Sequence, residues 1–111
     1  MDLFTKLEQY IDYNNSYSLK KALTTLNREF DLAISRNDSM QAKTVIDATK
    51  KLYDKLSRTY RESEDYSETM SYYQKLIAKQ MRSFIAYMLQ KLKIEFGVPD
   101  YEQEIEQTIG I

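Results

Sequence analysis

The residues that most often do chemistry are missing from this chain: its 111 residues include no histidine and no cysteine. That removes the commonest general base, the thiolate nucleophile and the two commonest zinc ligands. Serines and threonines are present, but a hydroxyl attacks only when a neighbouring base takes its proton. Without histidine the base would have to be lysine, and no serine–lysine pair stands out from ordinary helix-surface spacing. Paired carboxylates can hydrolyse glycosides. Here the acids cluster at Glu62, Glu64 and Asp65 and again at Asp100, Glu102, Glu104 and Glu106, in connecting and terminal segments where burial deep enough to raise a carboxyl pKa is not expected. Carboxylate-bridged metal bundles use Glu-x-x-His, which this chain lacks. Two glycines supply neither a phosphate-cradling loop nor an EF-hand. The sequence therefore predicts no catalytic residue, metal ligand, cofactor or small-molecule substrate, and the protein is expected not to be an enzyme.

What remains is surface chemistry. The net charge of −1 conceals a partition. Residues 19–96 hold fifteen Lys/Arg against ten Asp/Glu, a balance of +5; residues 1–18 hold one against three, −2; residues 97–111 hold none against four, −4. Tyrosine is over-represented, ten residues with no tryptophan. Tyrosine and methionine serve equally in cores and at interfaces. Tyr53 and Tyr60 fall on a core-facing stripe; Tyr10, Tyr13 and Tyr17 cluster near the first connection; Tyr72, Tyr87 and Tyr101 are harder to bury in one small bundle.

These side chains are positioned by helices. Near-absence of glycine and proline argues against a turn-rich sheet protein, and the length suits one domain. Residues 2–13 suit a short first helix, with Leu3, Phe4, Leu7 and Ile11 on one face, interrupted by Asn14-Asn15-Ser16. A second helix follows, with Ser18 as its N-cap and Leu19, Ala22, Leu23, Leu26, Phe30, Ala33 and Ile34 as its stripe. Arg36 and Asn37 suit its last turn. Asp38 and Gln41 form a capping-box pair for a third helix, whose apolar face runs Ala42, Val45, Ile46, Thr49, Leu52, Tyr53, Leu56 and Tyr60. Its opposite face (Asp47, Lys51, Asp54, Lys55, Arg58) mixes both signs and is expected to be solvated. Residues 62–65 form the connection.

The fourth helix is predicted over about 67–96, capped by Asp65 or Ser67 and closed by Gly97 and Pro99. Its main apolar face is Met70, Tyr73, Ile77, Met81, Phe84, Ile85, Met88 and Leu92. Leu76, Tyr87 and Ile94 flank that face on one side and Leu89 on the other. The arc exceeds the roughly 100° that one neighbour needs, so either several helices pack around this one or part of it faces another chain. Roughly opposite the main apolar face, Tyr72, Lys75, Lys79, Arg82 and Lys93 project in one narrow stripe that should be exposed. Such a stripe is either an ordinary solvated face or a docking site for phosphates or an acidic partner. Residues 98–111 form an acidic tail in which Tyr101, Ile105 and Ile109 share a side; it is frayed, folded back, or offered to a partner groove.

The expected architecture is all-α: a small antiparallel helical bundle (residues 1–97) of three main helices and a short N-terminal helix, followed by an acidic tail (98–111). No motif is specific enough to carry a family name. No apolar run reaches the roughly 18–20 residues of a spanning helix, and no secretory signal precedes the bundle, so an intracellular, cytoplasmic protein without membrane contact is expected. Three functions fit: a protein–protein interaction or assembly module that homodimerises through Leu76, Tyr87, Leu89 and Ile94; a nucleic-acid-binding protein using Tyr72, Lys75, Lys79, Arg82 and Lys93, with Lys20, Lys21 and Arg28 as further candidates; or an inhibitor or regulator that occupies a partner protein.

Overall fold

The computed structural model describes residues 2–13, 15–62 and 68–97, without the side chains of 59–62 and 68–71. Among these residues it contains four helices and no strand: α1 (Leu3–Glu8), α2 (Ser16–Ser35), α3 (Ser39–Glu62) and α4 (Glu68–Phe96). The all-α bundle expected from the sequence is what forms. The tail at 98–111, with Tyr101, lies outside the described residues, as do the expected caps Asp65 and Ser67 and the side chains of Tyr60 and Met70.

Each boundary has a local cause. Asp2 caps α1 by accepting from the Thr5 N–H at 2.8 Å. Asn15, not Ser18, caps α2: its Oδ1 accepts from the N–H groups of Tyr17 and Ser18 at 2.9 and 3.4 Å. Ser18 lies one turn inside and ties down the preceding loop instead. Its hydroxyl accepts from the Asp12 N–H at 2.9 Å and donates to the Tyr10 carbonyl at 3.2 Å. With Gln9 and Tyr10 already in a turn, α1 is shorter than the 2–13 expected.

Asn37 ends α2 at φ 56°, the left-handed conformation that asparagine tolerates. The Asn37 N–H donates to the Ile34 carbonyl and the Asp38 N–H to the Ala33 carbonyl, the two bonds of a Schellman turn. Asp38 then caps α3 through the Gln41 N–H at 3.0 Å. Gly97 closes α4 at φ 64°, donating to the Lys93 carbonyl.

The three long helices pack up-down-up. The three-residue connection turns α3 back along α2. Helix α4 then runs parallel to α2: the Lys20–Leu23 turn faces Gln80 and Phe84, and Phe30 meets Phe84 and Tyr87 edge-on, with centroids 6.4 and 6.1 Å apart. The core stripe of α2 is buried at Leu19, Ala22, Leu26, Phe30 and Ala33, and that of α3 at Ala42, Val45, Ile46, Thr49, Leu52 and Leu56. Buried Thr49 satisfies its hydroxyl by donating to the Val45 carbonyl at 2.8 Å. The 29 residues of α4 are one unbroken helix, about 43 Å long at 1.5 Å per residue, matching the longest dimension of the molecule, 45 Å.

Helix α1 lies on the face of α3 expected to be solvated. Its Glu8 carboxylate accepts from Lys55 at 2.7 Å and from the Tyr13 hydroxyl at 3.0 Å, and Asp2 sits 3.8 Å from Lys51. The Lys51 and Lys55 ammonium groups also lie over the Phe4 ring, at 5.7 and 5.9 Å. The Lys55 hydrogen bond, seconded by Tyr13, holds the Glu8 carboxyl below the usual range. Burial, with the same Glu8 contact adding to it, pushes the Tyr13 phenol well above its usual value. At the far side of the loop, Gln74 of α4 donates to the Tyr13 carbonyl at 2.6 Å.

Leu89 is fully buried at 0% exposure, so it belongs to the core and not to an external seam. Helix α4 serves two neighbours. Its buried residues (Gln74, Ile77, Ala78, Met81, Ile85, Met88, Leu89, Leu92) span both, and Leu89 falls on the flank away from Tyr87, which packs toward α2.

Two outcomes follow for stability. Leu89→Ala is expected to cost about 2–5 kcal/mol, whereas exposed Ile94→Ala stays within about 0.5 kcal/mol; urea denaturation followed by circular dichroism distinguishes them. Glu8 has a depressed folded pKa, so its contribution is full above its ordinary value of 4.5 and is lost as pH falls through the lower folded value. The wild-type melting temperature should therefore drop more steeply between pH 6 and pH 3 than that of Glu8→Gln, by about 2–4 °C; equal slopes would mean the Glu8–Lys55 contact contributes nothing.

Candidate functional site

The residues singled out on α4 separate into two groups on its surface. Leu76, Tyr87 and Ile94 are 36%, 49% and 70% exposed, and Tyr72 and Tyr73 are exposed beside them. At 100° per residue, Leu76, Tyr87 and Ile94 lie within about 20° of one another. They form a line along the side of α4 turned away from the core, next to α2. Tyr73 was expected in the main apolar face; it lies at the edge of that face, over Tyr72, with ring centroids 5.6 Å apart. Tyr73, Tyr87 and Ile94 recur in sevens, with Gln80 between the first two, so the heptad spacing was a signal that could have found this edge.

The line is continued by α2. A groove of about 510 Å³ runs between the two helices, lined by Lys20, Leu23, Thr24, Asn27, Gln80 and Phe84. Leu23, expected in the core stripe of α2, is half-buried and lines this margin. A second cleft, of about 450 Å³, opens between α1 and the first turns of α2. Leu7, Ile11 and Ala22 form its floor and the exposed rings of Tyr10 and Tyr17 its walls. Lys21 stands at its rim.

The cationic stripe stands beside the apolar line, on the flank away from α2. Lys75, Lys79 and Lys93 are exposed, as is Tyr72, and Arg82 is half-buried. From Thr69 to Ile94 the chain carries five cations and no acid at all. Glu95, the first acid beyond them, lies 3.1 Å from Lys91 and keeps that ammonium protonated to higher pH. Lys20, Lys21 and Arg28 are exposed on α2, and α2 borders the other flank of the apolar line. Leu89 is the one member of the expected seam that the fold places elsewhere.

No family model, curated protein or solved structure matches this chain.

Chemically, the α4 surface offers apolar residues spread over about 33 Å, from Tyr72 to Ile94 at 1.5 Å per residue, with Gln80 and Ser83 between Leu76 and Tyr87 and positive charge along one edge. Among the described residues no group of three or more acids stands close enough together to hold a metal ion. No helix among them is long and apolar enough to cross a membrane.

Proposed function

We propose that this protein is a non-enzymatic interaction module that pairs with a second copy of itself through the outer face of α4. The observation that carries the reading is the line of Tyr72, Leu76, Tyr87 and Ile94, left in water along a helix whose inward sides are already packed against α2 and α3. Isolated exposed apolar residues need no explanation, but two pairs aligned on one face of one helix, Tyr72 with Leu76 and Tyr87 with Ile94, mark a docking surface.

A second copy is favoured because the row is self-complementary. A two-fold axis sets residue i against j and j against i. Antiparallel pairing about Ser83 places Tyr72 against Ile94, Lys79 against Tyr87 and Leu76 against Gln90. The small Ser83 at the centre lets the helix axes approach, and Lys79 meets the face of an aromatic ring. The α4 chain carries no acid there to be buried unpaired.

Size sets the strength. A row about 33 Å long and 10–12 Å wide covers about 330–400 Å² per copy at most, against about 800 Å² per partner in a standard interface. The Leu23 margin of α2 adds to it without doubling it. The pair is therefore expected to be weak and concentration-dependent.

The same row admits any helix with an apolar stripe, which supports a second reading, a regulator that docks a helix of a different protein. Sedimentation equilibrium separates the two. Self-pairing predicts a shift from monomer toward dimer between about 10 and 500 μM. Ile94→Asp or Leu76→Asp should abolish the shift with unchanged helix content. A monomer throughout that range would remove self-pairing and leave the second reading.

A further inference from the structure

We infer that the α4–α4 pair forms one basic surface that binds double-stranded nucleic acid through its phosphates. This rests on the self-pairing proposed above and adds a ligand class to it.

The two-fold axis that relates side-by-side antiparallel helices is normal to the plane containing them. Rotation about it exchanges the helices but keeps their upper surfaces uppermost. In each copy, Lys75 and Arg82 lie on one flank of the apolar row, with Lys93 further along the same flank and α2 on the other, while Lys79 stands at the seam. Pairing therefore brings both cationic rows to the same side of the dimer. They run parallel, separated by roughly the 8–10 Å between packed helix axes. Within this surface α4 contributes no acid between Thr69 and Ile94.

Two rows of like charge at that separation repel, which opposes a pair already weak by area. A polyanion laid along them removes the repulsion and displaces its own counterions. A duplex presents phosphates on two strands across a groove, matching two rows. Single strands are usually gripped by stacking bases on exposed aromatic rings, and here Tyr72 and Tyr87 are taken up in the seam. Binding and pairing are thus linked, and each strengthens the other by the same factor.

The test measures fluorescence anisotropy of a labelled DNA duplex at 50 and 200 mM salt, with duplex RNA, single-stranded DNA and polyglutamate as competitors, beside sedimentation of the same samples. With three phosphates met per copy, wild-type affinity should fall by about 2,000-fold across that salt range. Monomeric Ile94→Asp should show a fall of about 40-fold and weaker binding at low salt. Lys75→Glu with Arg82→Glu, both outside the seam, should abolish binding while leaving the dimer and helix content intact; Lys75→Gln with Arg82→Gln should weaken it in the same direction. A wild-type dimer that fails to bind the duplex at 50 mM salt overturns this inference and leaves self-pairing standing. A protein monomeric with and without duplex overturns both. Binding unaffected by the Lys75/Arg82 changes, or competed equally by single strands or by polyglutamate, also overturns it.

Discussion

One helix in this molecule has too many obligations for its circumference. Helix α4 must cover α2 with one flank and α3 with the other, and those two duties use the arc from Phe84 round to Leu89. In a three-helix arrangement each helix turns inward on two sides and outward on the third. Most helices meet that constraint with polar residues on the outer side. Helix α3 does so in part, and hands Lys51 and Lys55 to α1. Helix α4 meets it with Leu76, Tyr87 and Ile94. The functional reading of the protein descends from that difference.

Much of this was legible beforehand, because helix periodicity and cap chemistry act locally. The stripe from Leu19 to Ala33 is buried as its spacing required, and Asp38, Asn37 and Gly97 end or begin helices for the reasons their side chains suggest. The continuity of α4 followed from the lack of any breaker within it. The N-terminal region was less legible. Asn15 and Ser18 are both good capping residues, and only the loop path through Tyr10 and Asp12 decides which of them caps. Periodicity also identifies which residues share a face without telling which neighbour lies against it. That is why Leu89 was grouped with Leu76, Tyr87 and Ile94, although it lies on the opposite flank and fills the core.

The charge distribution shows the same division. Totals along the chain reveal a basic middle and acidic ends, but not that α4 from Thr69 to Ile94 has no acid while five of the ten acids of the middle segment sit on α2 and α3. Only the packing shows that this acid-free flank borders the exposed apolar row, so that one surface carries both grease and charge. Neither is unusual alone. Their adjacency along a rigid rod about 33 Å long gives the surface a definite shape.

The link between α2 and α3 has a consequence for how such a protein can vary. Asp38 donates its N–H to close one helix and accepts at its carboxylate to open the next, so the two helices meet at a single residue with no slack. One inserted residue would swing the whole of α3 through about 100°, carrying Val45, Leu52 and Leu56 out of the interior and Asp47 and Lys51 toward it. This corner is therefore a gauge that sets the phase of one helix against the other, and changes in chain length must be absorbed at other connections.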